Sequence, residues 1–282
     1  MIRTASSSKA CRLSTRAIVL VIVLLIVIDV WYGKFVVPSV SKANKWAHQL
    51  HVGPRLSFYE IADKHGADKV GKHHYQHMYE ERLGPLRDKP IKMLEIGLGC
   101  HIEYGPGPSY YTWLEYFSDV ELYFIDYDIK CASTWANLTR GATIITGDQA
   151  DVSFLKQFLQ HTGGQFDIII DDGGHTMAQQ RTSLDILWDA LRPGGTYFIE
   201  DLGTSYLPQY GGFSVAAGEP RQKPETIMED VKTLLDDMNK PAGTQPKNRI
   251  SEDVMKLDFV QELVALTKRD PEKESFGLKG KR

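Results

Sequence analysis

The sequence predicts an α/β domain built on one doubly wound, mostly parallel β-sheet. The middle of the chain contains a series of apolar, β-rich runs that end in acidic residues, namely KMLEIGLG, ELYFID, ATIITGDQAD, FDIIIDDGGH and GGTYFIEDLGTSY. Stretches of helical character separate these runs, and alternation of strands with helices is typical of a parallel sheet covered on both faces. The ligand of such a sheet binds across the carboxyl ends of its strands.

The first run passes from a strand into a glycine-rich turn. The strand Ile91–Ile96 carries Glu95 near its end and continues into Gly97 and Gly99 before a helical stretch. Glycines allow the backbone to approach a ligand closely, and a helix start favours a negatively polarised group. A dinucleotide fingerprint would need a third glycine in register, where this chain reads CHI. The looser turn suits S-adenosylmethionine, because that ligand has no phosphate to bind.

Acidic residues follow the next two strands of the predicted sheet. The run ELYFID ends in Asp126, a carboxylate at the position expected to bind ribose hydroxyls in a nucleotide-binding sheet. The run ATIITGDQAD carries Asp148 directly after its strand. Each acid taken alone could instead cap a helix or solvate a loop. The repetition of the pattern favours a ligand-binding edge.

The last two runs each end in a pair of acids. Asp171 and Asp172 follow one strand, Glu200 and Asp201 follow the next, and His175 lies one turn from the first pair. This arrangement predicts a metal and general-base site, because a hard divalent ion lowers the pKa of a coordinated hydroxyl and an imidazole can then remove the proton. Three carboxylates suit octahedral magnesium. Taken alone, His175 could also be an ordinary loop histidine bonded to a backbone carbonyl.

A resemblance to a known family covers most of the chain, from Phe58 to Gly212. The matching stretches are ADKHGADKVGKHHYQHMYEERL, LEIGLG, YGPGPS with Trp113, GDQAD, FDIIIDDGGH, LRPGGTYFIEDL and TSYLPQYGG. In these stretches the chain resembles class I S-adenosylmethionine-dependent methyltransferases, and within that class the metal-dependent macrolide-sugar O-methyltransferases and the related cephalosporin-hydroxylase-like group. The resemblance implies a seven-stranded, Rossmann-like methyltransferase sheet, S-adenosyl-L-methionine and Mg²⁺ as cofactors, and a small-molecule acceptor.

The resemblance also implies roles for the matching residues. The residues expected to bind the cofactor are Glu95, Gly97, Gly99, Asp126, Asp148 and Asp171. The expected metal ligands are Asp172, Glu200 and Asp201, and the expected base is His175. Gly203 and Leu207 depart from the family pattern, because relatives often carry a larger polar residue and an aromatic residue there. Both lie beside the expected substrate, so the identity of the acceptor stays open.

The expected function is metal-assisted methylation of a hydroxyl on a small molecule, such as a sugar or a specialised metabolite. N-methylation of an amine is an alternative, because it requires a deprotonated nucleophile but no metal. A catalytically silent, membrane-anchored, cofactor-binding protein is an alternative of another class. The formal net charge of -3 and the pI of about 6.3 give no electrostatic case for nucleic acid.

The N-terminal part of the chain has the character of a membrane anchor. Residues 1–16 form a basic tail without acids, and residues 17–37 form an apolar run that is long enough to cross a hydrocarbon core of about 30 Å. This predicts a single-pass membrane protein of an endomembrane such as the ER or Golgi, with a cleaved signal peptide as the alternative. The side of the membrane on which the catalytic domain lies stays open, although the sequon Asn137-Leu138-Thr139 could be glycosylated in a lumen.

The remaining segments complete the predicted architecture. Residues 38–56 are expected to form a stem, 57–270 the methyltransferase domain and 271–282 a charged tail. Within the domain, helices are expected at 153–159, 179–191 and 226–238, followed by a closing hairpin at 258–267.

Three further features bear on the site and on assembly. The loop 204–224 is rich in Gly, Pro and Tyr and is expected to close over substrate. The histidine-rich run 73–79 could suggest a metal-binding box, but the resemblance to the family implies that it is an amphipathic cofactor lid with partly solvent-facing histidines. The three scattered cysteines at 11, 100 and 131 indicate neither a zinc site nor a disulfide framework. Whether the chain forms a homo-oligomer stays open.

Overall fold

The structure is a computed structural model and describes residues 55–100, 102, 105–138, 141–213, 225–241 and 243–274. All of these residues belong to the second of two compact units, Val40–Arg282. The predicted basic tail and the predicted span at 17–37 lie outside the described residues. Within the part of the chain that is described, no helix combines the length and the apolar character needed to cross a bilayer.

Seven strands form a single sheet. They are β1 (Ile91–Ile96), β2 (Val120–Asp126), β3 (Ala142–Thr146), β4 (Phe166–Asp171), β5 (Leu191–Ile199), β6 (Val254–Val260) and β7 (Leu263–Lys268). Their order is β3-β2-β1-β4-β5-β7-β6. Strands β1 to β5 pair in parallel, and β7 lies antiparallel between β5 and β6. The predicted doubly wound, mostly parallel, seven-stranded sheet is therefore confirmed, with its topological switch point between β1 and β4.

Helices cover both faces of this sheet. They are α1 (Phe58–His65), α2 (Asp68–Gly71), α3 (Gln76–Leu83), α4 (Pro108–Tyr116), α5 (Ile129–Leu138), α6 (Val152–Thr162), α7 (Met177–Leu187) and α8 (Ile227–Met238). The predicted helix at 226–238 and the predicted hairpin are confirmed. The predicted helix at 179–191 is wrong at its end, because a 3-10 turn replaces it at Trp188 and β5 begins at Leu191.

Side-chain caps fix the start of the helices that border the carboxyl edge. At α7, the hydroxyl of Thr176 accepts a hydrogen bond from the backbone N–H of Gln179. The side-chain oxygen of Gln179 in turn accepts one from the backbone N–H of Thr176, and this reciprocal pair is a capping box. Thr176 directly follows His175, so the box fixes the end of the loop that carries His175. At α6, Asp151 caps the backbone of Ser153.

Side chains of the strands alternate between two apolar layers. In β1, Ile91 and Met93 pack into the layer formed by α1 to α4, whereas Leu94 and Ile96 pack into the layer formed by α6 to α8. The alternation follows from the two-residue period of a strand. It determines which acids at the strand ends share a face of the sheet.

A disulfide joins Cys100 and Cys131. The prediction that the cysteines indicate no disulfide framework is therefore wrong. Cys100 follows the turn after β1 and Cys131 lies in the first turn of α5, after β2. Because β1 and β2 are parallel neighbours, both connections begin at the same edge of the sheet, and the two Cα atoms lie 5.9 Å apart. The bond joins the turn after β1 to the first turn of α5, beside the expected cofactor site.

Candidate active site

A cavity of about 470 Å³ lies at the carboxyl edge of the sheet. Six of the predicted site residues contribute to its wall, namely Gly97, Gly99, Asp126, Asp172, His175 and Asp201. Four other predicted residues are described by the structure but are not part of this wall, namely Glu95, Asp148, Asp171 and Glu200. The structure thus brings together the turn after β1, the acid at the end of β2 and the loops after β4 and β5.

The turn after β1 passes very close to the loop after β4. Gly97 has φ +100°, a conformation that side chains with a Cβ rarely adopt. A Cβ at this position would lie 2.0 Å from the backbone oxygen of Asp172. Gly99, with φ +82°, would place a Cβ 2.6 Å from Cδ1 of Ile102. Gly97 therefore allows the turn after β1 and the loop after β4 to form one continuous wall.

Asp126 holds this turn in place from the end of β2. Its Oδ2 accepts a hydrogen bond from the backbone N–H of Leu98 at 2.9 Å, and its Oδ1 accepts from the N–H of Asp128 at 2.8 Å. Each carboxylate oxygen has two lone pairs, so a ribose hydroxyl could still donate to either of them. The carboxylate lies in the cavity wall, as expected for a ribose-binding residue.

Gln149 connects the loops after β3 and β4, and sequence reasoning missed it. Its Nε2 donates to Oδ1 of Asp171 at 2.9 Å, and its Oε1 accepts from the N–H of Gly174 at 2.9 Å. Gln149 is buried in the cavity wall, whereas its predicted neighbour Asp148 is exposed and accepts from the backbone N–H of Ala150. The structure therefore places Gln149, not Asp148, against the cavity.

Asp171 points away from the cavity. Its carboxylate is completely buried, accepts a hydrogen bond from the hydroxyl of Ser183 in α7 and lies 3.4 Å from the hydroxyl of Tyr197. Burial raises the pKa of Asp171, although the hydrogen bonds from Ser183 and Gln149 oppose the rise. The period of β4 directs residue 171 toward the α6 to α8 layer, so the structure does not bring it to the expected cofactor site.

Asp172, His175 and Asp201 form a cluster of donors at the cavity wall. One donor atom from each lies within 4.8 Å of the others. Nε2 of His175 is 3.3 Å from Oδ2 of Asp201 and 4.0 Å from Oδ1 of Asp172. His175 and Asp201 both have a left-handed backbone, with φ of 55° and 53°. Such conformations in non-glycine residues often occur at active sites, where the surrounding structure maintains them.

Lys69 is a buried cation beside this cluster, and sequence reasoning missed it. Its Nζ lies 2.6 Å from Oδ2 of Asp172, 2.7 Å from Oε1 of Glu200 and 3.2 Å from Oε1 of Glu95, and the lysine side chain is 0% exposed. Burial alone would lower the pKa of Lys69, but the charges of Asp172, Glu200 and Glu95 raise it well above the usual value. The lysine is therefore charged and held by carboxylates from three strand ends.

Glu95 and Glu200 lie in the interior next to Lys69. Glu95 accepts from Nε1 of Trp113 at 2.7 Å, and Glu200 accepts from the hydroxyl of Tyr79. Burial raises the pKa of Glu95 to about 7, against the opposing charge of Lys69. Burial and the nearby charge of Asp172 raise the pKa of Glu200 well above its usual value. Glu200 thus lies next to the three-donor cluster without belonging to it.

The run of histidines contacts the far side of Asp201. His73 lies between Asp201 and Glu262, with nitrogen to oxygen distances of 3.6 and 3.5 Å, and these three residues also have the donor spacing of a metal site. The hydroxyl of Tyr75 donates to Oδ1 of Asp201 at 3.3 Å. His74 and His77 are exposed, which agrees with the prediction of partly solvent-facing histidines. His73 and Tyr75 of this run therefore contact the carboxylate of Asp201.

The segment after β5 carries the two departures from the family pattern. A Cβ at Gly203 would lie 2.6 Å from Oε1 of Glu262, so a larger residue there would displace that carboxylate. Leu207 is 40% exposed, and Tyr210 lies in the cavity wall. Residues 214–224, the rest of the loop expected to close over substrate, lie outside the described residues.

The donor set fits one divalent cation. Two carboxylates and an imidazole offer oxygen and nitrogen donors within 4.8 Å of one another, next to the cavity that Gly97 and Asp126 also line. Carboxylate oxygens are the protein ligands that Mg²⁺ prefers. The nearby ammonium of Lys69 is bound to the opposite oxygen of Asp172, so Oδ1 of Asp172 stays available to a cation.

Comparisons with known proteins agree with this geometry. Residues 102–202 match a family model described as a methyltransferase domain. A relative from Streptomyces olivaceus, 8-demethyl-8-(2-methoxy-alpha-L-rhamnosyl)-tetracenomycin-C 3'-O-methyltransferase, is 35% identical over 66% of this chain and 46% of its own length. L-olivosyl-oleandolide 3-O-methyltransferase from Streptomyces antibioticus is 32% identical over 78% of this chain and 55% of its own length. The chain spans about half the length of these curated relatives.

A solved structure of similar fold carries ligands. It is the MycE methyltransferase from the mycinamycin biosynthetic pathway in complex with Mg, SAH and mycinamycin VI, which is 26% identical, with a TM-score of 0.67 over 78% of this chain and 56% of that one. The fold and the site together define a class I methyltransferase domain. Within that class, this chain is similar to the macrolide-sugar O-methyltransferases, and the resemblance predicted from the sequence is confirmed.

Proposed function

We propose that the protein transfers a methyl group from S-adenosylmethionine to a hydroxyl of a sugar-bearing small molecule, with Mg²⁺ bound at the acids. The observation that carries this proposal is that Gly97 and Asp126 line the same cavity as Asp172, His175 and Asp201. The names of the curated relatives support a sugar hydroxyl as the acceptor group. The Mg and SAH in the similar solved structure support the two cofactors.

The cofactor side of the cavity has a positioning role. When bound, S-adenosylmethionine supplies an electrophilic methyl group for in-line displacement. The protein then has to hold the nucleophile and the methyl carbon at near-attack distance. Gly97 and Gly99 leave room for the backbone to approach the ligand, and Asp126 offers carboxylate oxygens to the ribose hydroxyls.

The acid side of the cavity would hold the cation. Asp172 and Asp201 would supply oxygens from the three-donor cluster. Glu200 lies outside that cluster, and because Lys69 and Tyr79 both bind its Oε1, only its Oε2 would remain for the cation. When bound, Mg²⁺ polarises the acceptor hydroxyl as a Lewis acid. His175 lies in the same wall, with Nε2 facing both acids, and takes the proton from that hydroxyl.

The experiment uses the full chain, S-adenosylmethionine with a deuterated methyl group, and paired acceptors. Each pair is a glycosylated small molecule with a free sugar hydroxyl and its amino-sugar counterpart. Mass spectrometry is expected to detect the labelled methyl on the hydroxyl, with loss of the product in EDTA and recovery on addition of Mg²⁺. Methylation of the amine in EDTA would instead support N-methylation. Binding of S-adenosylmethionine without turnover of any acceptor would support the silent, cofactor-binding alternative.

Membrane anchoring and an oxidising compartment belong to the same proposal. The apolar run at 17–37 supports an anchor. The disulfide between Cys100 and Cys131 supports a lumenal domain in the ER or Golgi, since such compartments maintain disulfides. Asn137, the acceptor residue of the sequon, is exposed on α5. In sealed microsomes the domain is expected to resist added protease and to lose mass on glycosidase treatment. Digestion without detergent would place the domain on the cytosolic side.

A further inference from the structure

Lys69 lies where the ends of three adjacent strands meet. Its side chain is 0% exposed, and its ammonium contacts Glu95 from β1, Asp172 after β4 and Glu200 after β5. The alternation of side chains along these strands directs all three carboxylates to the face covered by α1 to α4. A buried charge is stable only when it is paired and hydrogen-bonded. These contacts therefore account for the burial of a lysine in this position.

The ammonium uses only one oxygen of Asp172. It binds Oδ2 at 2.6 Å, while Oδ1 is the oxygen that faces Nε2 of His175. A carboxylate held by one oxygen in this way cannot rotate freely, so Lys69 fixes the direction of the other oxygen. The hydroxyl of Tyr79 and the ammonium bind the same oxygen of Glu200, which leaves its second oxygen to face elsewhere.

The same segment of chain also orients Asp201. The backbone N–H of Tyr75 donates to the carbonyl of Lys69 at 3.0 Å, and the hydroxyl of Tyr75 donates to Oδ1 of Asp201 at 3.3 Å. Oδ2 of Asp201 is thereby left facing His175. Lys69 itself is not part of the described cavity wall. Its ammonium contacts the acids, so any effect on the cavity passes through them.

We propose that Lys69 is a positioning residue of the metal site, whose ammonium holds Asp172 and Glu200 in the orientation in which Asp172 and Asp201 share one divalent cation. The inference rests on the proposed metal-assisted function. The opposite role would be competition, in which the ammonium occupies the place of the cation. The two roles predict opposite changes in metal affinity when the charge is removed.

The experiment titrates the full chain with Mn²⁺, followed by electron paramagnetic resonance, and with SAH, followed by calorimetry. Lys69→Met removes the charge and keeps the length, Lys69→Arg keeps the charge, and Lys64→Met removes an exposed lysine that pairs with Glu115. Lys69→Met is expected to weaken Mn²⁺ binding by about 10- to 100-fold, the usual effect of losing a group that orients a metal ligand. SAH affinity should stay within about threefold, because Lys69 does not line the cavity. Lys69→Arg should recover part of the Mn²⁺ affinity, and Lys64→Met should match wild type.

Unchanged or tighter Mn²⁺ binding in folded Lys69→Met would overturn the inference, and tighter binding would indicate competition. A wild-type protein without saturable Mn²⁺ binding would overturn the proposed metal-assisted function as well, so the two failures are distinguishable. If Lys69→Met does not fold, the double variant Lys69→Met with Glu95→Gln removes one of the unpaired carboxylates. Its Mn²⁺ affinity is then compared with that of Glu95→Gln alone, and equal affinities would contradict the positioning role.

Discussion

His175 and Asp201 contact each other at the cavity wall while both hold a left-handed backbone. The Nε2 to Oδ2 distance is 3.3 Å, and the φ angles are 55° and 53°. This conformation costs an L-residue about 1–2 kcal/mol, so the surrounding contacts must maintain it. The capping box at Thr176 and the hydrogen bond from Tyr75 to Asp201 supply such contacts. The two side chains are therefore directed to the cavity before any ligand binds.

Replacing His175 by Ala should lower turnover much more than affinity. We expect kcat to fall by about 10²- to 10⁴-fold, because a positioned base contributes that much to a proton transfer. KM and SAH affinity should change little, and the deficit in kcat should narrow at high pH as hydroxide replaces the imidazole. His77→Ala is the matched control, since His77 is exposed on α3. A change confined to KM, or loss of Mn²⁺ binding with kcat preserved at saturating metal, would argue that the imidazole binds rather than removes a proton.

Replacing Gly97 by Ala should disrupt the approach of the β1 turn to the β4 loop. The added Cβ would meet the backbone oxygen of Asp172 at 2.0 Å, and backbone cannot move aside as a flexible side chain can. We expect SAH binding to be lost and the free energy of unfolding to fall by about 3 kcal/mol or more. Gly66→Ala isolates backbone strain, because Gly66 has φ +72° with nothing within 4 Å of a Cβ. That control should cost about 1–2 kcal/mol and leave SAH affinity unchanged. Equal effects of the two substitutions would refute the close-approach explanation.

Removing the disulfide by Cys100→Ser with Cys131→Ser should destabilise the cofactor side of the domain. The bond closes a loop with a sequence separation of 31, for which chain entropy predicts a loss of about 3–4 kcal/mol. Urea unfolding measures the loss, and calorimetry should show weaker SAH binding. Thiol labelling of the denatured, unreduced wild-type chain should find one free cysteine, Cys11, among three. Labelling of all three would show that the bond does not form.

Asp237, which lies outside the cavity wall, should make the free energy of unfolding depend on pH in the acid range. Its side chain is 0% exposed, and its Oδ2 accepts from the N–H groups of Lys247 and Asn248 and from the hydroxyl of Ser251 at 2.8, 2.9 and 2.8 Å. Burial opposes ionisation, but the contacts with Lys240, Asn248, Ser251 and Lys247 hold the pKa of Asp237 well below its usual value.

Because the folded-state pKa is lowered, the stabilisation from Asp237 is present above the unfolded pKa of about 3.9 and is lost as the pH falls toward the folded-state value. Asp237→Asn should therefore cost about 1–3 kcal/mol at pH 7, with a cost that shrinks below about pH 4. Urea unfolding between pH 7 and pH values below about 4 measures this loss of free energy. The control is Asp236→Asn, at the exposed neighbouring residue. A cost that stays constant with pH would contradict the assignment.

The sequence predicted those parts of the site whose signal is local. Gly97, Asp126, Asp172, His175 and Asp201 stand at or just after the ends of strands, and the carboxyl ends of parallel strands meet at one edge. Each of them lies in the cavity wall. The pattern of strand followed by acid therefore sufficed for both the fold and this part of the site.

The rest of the site could not be predicted from the sequence, because it depends on contacts between segments that are distant along the chain. Of two adjacent acids at a strand end, one faces each layer, and the sequence does not tell which. Asp171 therefore faces the interior beside Ser183, while Asp172 reaches the cavity wall. Glu95 faces the same layer as Asp172 but lies within β1, where it is buried against Trp113. Lys69 stands 103 residues before Asp172, in a polar stretch that gives no sign of burial. The pairing of Cys100 with Cys131 could have been predicted, because both follow neighbouring parallel strands, but only once the order of β1 and β2 is known.

The central claim is that Asp172 and Asp201 share one divalent cation in the cavity that binds the cofactor. Proton relaxation of the methyl group of S-adenosylmethionine, bound to the full chain and titrated with Mn²⁺, tests this claim most directly, because the paramagnetic effect falls steeply with distance. We expect strong, saturable enhancement in wild type and its loss in Asp172→Asn and in Asp201→Asn, with cofactor binding retained. Mn²⁺ binding without enhancement, or full enhancement in both variants, would contradict it.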